Sequence, residues 1–443
     1  MHIYVVQKGD SLWQLSQRYG VPASRIGAVN GLADNNVLVI GQALVIPVPE
    51  NGGNSLTRKE TGVHTVQKGE TMHAVAKQYG LSLQQLMQAN SIGNPALAAA
   101  GASVIIPEAA KPEIEVNGYV KPGSNGVRDA KQYASSLTYL SPFSYSVSAD
   151  GSLVPLDDEA LIQAAIAGGA APMLVVSNFE GDNFSPDLAH ALLQNAGARE
   201  KLTANILQLM QDKSYIAVNV DFEYVPVADK NMYHQLLQRL VDTLHPHGYL
   251  VSAALAPKTS SDQAGLLYEG HDYAAQGAIV DFVILMTYEW GWFGGSPMAV
   301  APLNEVNKVV RYAVSVIPPD KILMGMPLYG YDWTLPYKPG TTAETVSPQE
   351  AVERAATMHA NIEYDEQAES PFYHYYDSAK TEHVVWFEDA RSVQAKYNLV
   401  KSYGLRGVSY WVLGVPFVPN WYVLKDNFTI RQLPFPSASS GAN

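Results

Sequence analysis

The chain has 443 residues, enough for two or three domains, and its 47% apolar and 16% charged residues are those of a globular protein with a sizeable core. A formal net charge of −13 argues against nucleic acid or an anionic membrane as the main partner and leaves a neutral glycan open. With no cysteine, disulfides, thiolate zinc sites and cysteine nucleophiles are excluded. No apolar run reaches membrane-spanning length, and Met1-His-Ile-Tyr-Val-Val-Gln-Lys-Gly lacks the basic start and apolar core of a secretory signal.

The first hundred residues contain a repeat. Tyr4-Val-Val-Gln-Lys-Gly-Asp-Ser-Leu returns as His64-Thr-Val-Gln-Lys-Gly-Glu-Thr-Met, 60 positions later. The same offset pairs Asn30 with Asn90, Gly41 with Gly101, and Val45-Ile46-Pro47 with Ile105-Ile106-Pro107. Each copy predicts strand, helix, helix, strand. In the first, Val5 and Val6 open a strand and Lys8-Gly9 turns it. Asp10 or Ser11 then caps a helix carrying Leu12, Leu15 and Tyr19, which Gly20 ends. A second helix through Ile26 and Val29 precedes the closing strand. The run Val-Gln-Lys-Gly-Asp-Ser-Leu-Trp resembles the lysin motif (LysM), a small module that binds N-acetylglucosamine polymers. That resemblance implies glycan contacts at Gly9, Asp10, Ser11 and Leu12, and at Gly69, Glu70, Thr71 and Met72 of the second copy. A small interaction domain without a glycan role is the other reading. The modules are expected over 1–48 and 63–108, joined by a polar, glycine-containing linker over 49–62 that lets them move relative to each other. The short link over 108–113 places the second module close to the larger domain that begins there.

From residue 114 onward, apolar runs alternate with longer helical patterns, which predicts parallel βα units. Strands are expected near 115–120, 137–147, 173–179, 216–223, 250–256, 282–288, 322–329 and 407–413, with helices such as 187–195 and 230–244 between them. Eight strands predict a (β/α)8 barrel of the α/β class, here over 113–434. A stretch at about 331–389 is too long for a simple connection and predicts a small α+β insertion. The tail after Pro434 is expected to be frayed.

The fourth run, Tyr215-Ile-Ala-Val-Asn-Val-Asp-Phe-Glu-Tyr224, begins apolar and ends in acid. On a strand, Asn219, Asp221 and Glu223 share one side, and Val220, Phe222 and Tyr224 the other. Two carboxyls side by side at a barrel mouth cannot both ionise freely, so one keeps a proton, as protonating a glycosidic oxygen requires. Capping of the next loop is the plainer reading of a bare Asp-x-Glu. Asn-Val-Asp-Phe-Glu resembles the fourth-strand signature of family 18 glycoside hydrolases, Asp-Gly-x-Asp-x-Asp-x-Glu, with Ile216, Ala217 and Asn219 departing from it.

The resemblance extends to Met286-Thr-Tyr-Glu, with Glu289 for the usual Asp, and to Trp411 on the eighth strand. It implies Glu223 as acid and base, and Asp221 orienting the substrate acetamido group with support from Asn219 and Tyr288. Met286, Glu289, Trp411, Tyr329 and Asp332 are the implied sugar contacts, and no metal or cofactor is needed. Ser177-Asn-Phe-Glu stands where many members carry Ser-x-Gly-Gly on a supporting strand. The arrangement of two LysM modules before the barrel is similar to the spore-cortex-lytic N-acetylglucosaminidases of Bacillus. It implies a monomeric, retaining hydrolase of peptidoglycan in the spore cortex, coat or cell wall. A chitinase and a non-catalytic glycan-binding barrel are the alternatives, and the presence of Glu223 speaks against the second.

Overall fold

The computed structural model describes residues 1–32, 37–47, 63–67, 69–78, 83–92, 101–106 and 111–433. The linker over 49–62 and the tail after Pro434 lie outside the described residues.

Eight parallel strands close on themselves: β1 Glu113–Val120, β2 Tyr139–Pro142, β3 Ala171–Ser177, β4 Ala217–Asp221, β5 Leu250–Leu255, β6 Phe282–Leu285, β7 Ile322–Pro327 and β8 Gly407–Trp411. Each pairs with the next, and β8 returns to β1 with Gly407 opposite Glu115. Strands buried on both faces need side chains for two cores, which is why these runs are almost continuously apolar. Tyr119, Tyr139, Met173, Val175, Ala217, Phe282 and Ile284 fill the barrel interior. Val218, Val220 and Phe222 belong to the outer layer, where Phe222 stacks on Tyr233 at 5.7 Å. Tyr233 lies on the helix Lys230–Leu244, whose buried Leu236, Leu237, Leu240 and Leu244 follow the three-and-four spacing of one helical face.

The expected second strand over 137–147 is two pieces, because the chain bends after Pro142. The second piece, Tyr145–Ser146, pairs with the end of β3. At β7, a Cβ on Gly325 would meet the Leu285 carbonyl at 2.4 Å and the Tyr288 ring at 2.8 Å. Only glycine leaves room there for the tyrosine to lie across the strand end.

The amino-terminal end of the barrel is closed by charge. Glu115, 2% exposed, accepts from Arg406 Nε at 2.6 Å and Nη2 at 2.9 Å, from Arg431 Nη1 at 3.2 Å and from Tyr139 at 3.0 Å. Immediately after β7 comes a five-stranded antiparallel sheet, in the order Glu344–Val346, Gly330–Thr334, Glu382–Trp386, Ser370–Tyr376, Glu363–Asp365, with the helix Pro348–Thr357 against it.

Both repeats fold as strand, helix, helix, strand: His2–Val5, Leu12–Tyr19, Ala23–Val29 and Ala43–Ile46, then Val63–Thr65, Met72–Gln78, Leu83–Ala89 and Ser103–Ile105. The offset seen in the sequence is an offset in hydrogen bonds. Asn30 joins its own helix to the closing strand through Ile26 O, Val45 O and Val45 N, and Asn90 does the same through Leu86 O, Ile105 O and Ile105 N.

The first module is seated on the barrel. Val29, Ala43 and Val45 join the main core, against the helices Ala390–Tyr403 and Val418–Asn427. Gln349 donates to Gly31 O at 2.6 Å, Ile362 N to Ile40 O at 2.9 Å, and the Met1 amine to Asp426 at 3.2 Å. Gly41 lies so close that a Cβ would meet Ile362 O at 1.8 Å. The second module keeps a core of its own, including Val66, Met72, Val75, Leu86 and Val104.

Candidate active site

The polar residues of β4 emerge at the carboxyl-terminal mouth of the barrel. The strand ends at Asp221, so Glu223 stands just beyond it, and Tyr224 turns away with φ +54° and 37% exposure. Alternation therefore holds through Phe222 and is broken after Glu223. Burial pushes the Asp221 carboxyl up to about 7. Burial, then the charges of Asp221 and Glu289, hold Glu223 well above the ordinary glutamate range. Asp221 Oδ1 is buried and has no hydrogen-bond partner in the protein. An unpartnered buried carboxylate oxygen is costly to keep and points to a function outside folding.

Tyr288 follows β6, its hydroxyl pushed well above the usual tyrosine range by burial and by the charges of Asp221, Glu223 and Glu289. Glu289 takes φ +67°, a setting L residues rarely adopt, and is anchored by hydroxyls donated from Tyr329 and, at 3.0 Å, from Tyr331. Trp411 ends β8 and is held edge-on by Phe143 at 4.8 Å and Tyr119 at 5.5 Å. Met286, 9% exposed, packs with Ala254, Ala256 and Tyr288. The mouth thus brings together Asp221, Glu223, Met286, Tyr288, Glu289, Tyr329 and Trp411 from four strand ends.

Other expected contacts are elsewhere. Asn219 is fully buried below the mouth. Its Oδ1 accepts from Tyr119 at 2.8 Å and its Nδ2 donates to Ser252 at 2.9 Å, so it supports neither sugar nor Asp221 directly. Asp332 is buried in the insertion, accepting from Arg354, from Tyr375 at 2.7 Å and from His383 at 2.8 Å. That carboxylate is fully engaged in folding and is not a sugar contact.

The LysM positions divide similarly. Leu12 and Met72, 4% and 1% exposed, are core residues of their modules, not glycan contacts. Ser11 caps its helix by accepting from Gln14 N, and Thr71 does so from Ala74 N. Asp10 binds Tyr4 and Gln7 N across the turn, as Glu70 binds His64 and Gln67 N. Gly9 and Gly69 carry the turns at φ +92° and +87°.

Two residues that the sequence did not single out for the chemistry, Asn178 and His271, hydrogen-bond the backbone of the Phe222–Glu223 segment. Backbone N–H and C=O groups have no sequence signature, so no spacing rule could have found their partners. Among the described residues no group of acidic or histidine side chains is arranged to hold a metal ion.

The family 18 glycosyl hydrolase profile matches residues 174–415, and the LysM domain profile matches 4–47 and 64–107. The chain is 39% identical over 439 residues to a cortical fragment-lytic enzyme of Bacillus anthracis, covering 98% of this chain and 99% of that one. Against the crystal structure of the Bacillus cereus spore cortex-lytic enzyme SleL the TM-score is 0.83 at 38% identity, with 97% and 99% covered. A chitinase structure from Chromobacterium violaceum aligns with TM-score 0.66 at 29% identity, over 71% of this chain and 98% of that one. With a closed eight-stranded barrel, paired acids at its mouth and two repeats before it, this chain belongs to glycoside hydrolase family 18 and carries two LysM domains.

Proposed function

We propose that the chain is a retaining N-acetylglucosaminidase acting on peptidoglycan fragments of the spore cortex, with the substrate's own 2-acetamido group as nucleophile. Glu223, kept protonated by burial and by its acidic neighbours, donates to the glycosidic oxygen. The acetamido oxygen attacks C1, the C1–O bond breaks, and an oxazolinium ion forms. Asp221 accepts the acetamido N–H and balances the growing positive charge. Tyr288 donates its hydroxyl to the acetamido group, and Trp411 lies under the sugar ring. Glu223, now ionised, takes a proton from water as it adds to C1, the bond from C1 to the acetamido oxygen breaks to restore the acetamide, and retention results.

The observation that carries this reading is the buried Asp221 oxygen without a partner, beside an acid held protonated. It is an acceptor awaiting a donor that the substrate supplies. Glu289, the other carboxyl whose charge reaches Glu223, is tied down by Tyr329 and Tyr331 and is not free to attack C1. Peptidoglycan as substrate is supported by the full-length similarity to cortical fragment-lytic enzymes. The LysM modules, expected to bind the same polymer, add targeting.

Two measurements test this. Mass spectrometry of muropeptides after digestion should show N-acetylglucosamine at the new reducing ends. Digestion of chitin oligomers but not of muropeptides would transfer the assignment to a chitinase. Paired kinetics on N-acetylated and de-N-acetylated oligosaccharides, with the product anomer read by NMR, should give cleavage of the former alone and a β product. Equal rates or inversion would remove the acetamido nucleophile.

A further inference from the structure

On the reading of Glu223 as proton donor, we infer that Asn178 and His271 are positioning residues that lock the Phe222–Glu223 backbone and so fix where the acid stands. Glu223 lies past the end of β4, where no strand partner continues to hold the chain. Its backbone groups are satisfied by a side chain instead. Asn178, fully buried just after β3, donates through Nδ2 to Glu223 O at 2.9 Å and accepts through Oδ1 from Glu223 N at 2.9 Å. The same Nδ2 donates to Ser185 O at 2.9 Å. One amide thus imitates a strand neighbour on one side of the acid.

His271 works from the opposite side. It is fully buried, and Ala256 N donates to its Nδ1 at 2.7 Å. That bond makes Nδ1 the acceptor, so the proton sits on Nε2, which donates to Phe222 O at 2.9 Å. Its own backbone is pinned in turn, since Lys258 Nζ donates to His271 O at 2.9 Å. Tyr273 donates to Ala256 O at 2.6 Å and accepts from Lys258 N at 3.0 Å, which fixes the loop that carries the histidine's donor. The segment between Asp221 and Glu223 is therefore gripped from β3 and from the loop after β5, with neither residue reaching the substrate. A shift of about 1 Å in an acid of this kind costs on the order of 10²-fold in rate.

The substitution Asn178→Asp keeps the shape and one acceptor but removes both donated bonds. His271→Leu removes both bonds on the other side, and His271→Gln retains one acceptor and one donor. The full-length variants and Glu223→Gln are compared on two aryl glycosides of N-acetylglucosamine, one with a 4-methylumbelliferyl and one with a 2,4-dinitrophenyl leaving group. The second departs without a proton, so the step that releases it, which kcat/KM reports, is blind to a misplaced acid. Asn178→Asp and His271→Leu should lose roughly 10- to 100-fold in kcat/KM on the first glycoside, with little loss on the second. His271→Gln should recover most of the rate that His271→Leu loses. Equal losses on both glycosides, or no loss, would assign the two residues to folding alone. If Asn178→Asp does not fold, the comparison of His271→Leu with His271→Gln decides by the same criterion. Retention of rate by Glu223→Gln on the methylumbelliferyl glycoside would instead remove the acid itself, and the positioning role with it.

Discussion

At the amino-terminal end of the barrel, the Glu115 carboxylate accepts from two arginines and a tyrosine, whereas at the carboxyl-terminal end Asp221 keeps an oxygen with no partner. Both carboxylates are almost fully buried. The difference lies in what surrounds them. Arg406 and Arg431 bring opposite charge to one end, and the other end gathers Asp221, Glu223 and Glu289, charges of one sign. A paired buried charge holds the fold together. A crowded, unpaired one weakens the fold and stores a proton for chemistry.

The largest break in this contrast is expected from Glu223→Gln. Turnover on a poor leaving group should fall by roughly 10²- to 10⁴-fold. The same variant should be more stable than the parent, because a raised native pKa penalises the folded state as pH climbs. The gain should be absent below the ordinary glutamate pKa, grow as pH rises from there to the elevated native one, and level off above it. Thermal midpoints at pH 4 and pH 8, measured beside kcat, check both signs. A midpoint unchanged at pH 8 would show that the acid is not strained by its neighbours.

Glu115→Ala should do the reverse. Arg406 and Arg431 would lose their common partner, at a cost of about 3 kcal/mol for a broken buried pair, with kcat on a soluble fragment little changed. Urea unfolding followed by kinetics of the folded fraction separates the two. Asp332→Asn sharpens the comparison, since Asp332 lies near the mouth in sequence but is paired like Glu115. Loss of its charge beside Arg354 should cost roughly 2 kcal/mol and spare kcat. A kcat loss matching that of Asp221→Asn would return Asp332 to the site.

The pH profile of activity should be a narrow bell. Its alkaline limb tracks loss of the Glu223 proton, and its acid limb tracks protonation of Asp221, which burial has raised to about 7. Asp221→Asn should abolish the acid limb in the residual activity. The smallest effect is expected from Tyr119→Phe. It leaves Asn219 Oδ1 without its donor, costs about 1 kcal/mol, and should lower kcat only a few-fold. Calorimetry with initial rates resolves so small a change.

The same contrast explains what could be read from the sequence. The repeat and the barrel strands were legible because apolar periodicity and turn residues are local properties. Asp221 and Glu223 were legible because an apolar strand ending in two acids is improbable without a use for them. Asp332 was misread as a sugar contact since it follows a strand end amid aromatics. Its partners Arg354, Tyr375 and His383 come from later in the chain and meet it only in the folded insertion sheet. Asn219 was misread because strand spacing places it beneath Asp221 but cannot say that Tyr119, from β1, claims its amide oxygen.

The seat of the first module against the last helices has a consequence for synthesis. The module's strands His2–Val5 and Ala43–Ile46 pair locally, so it can fold as soon as it leaves the ribosome. β1 must wait for β8, and Val29, Ala43 and Val45 must wait for the helices Ala390–Tyr403 and Val418–Asn427. For most of translation the nascent chain therefore carries a folded head with an uncovered apolar face, beside a sheet whose first strand has an open edge. A chain stopped before residue 390 would keep both features and should associate with its neighbours through them, while completion of the last strand and the final helices conceals the two together.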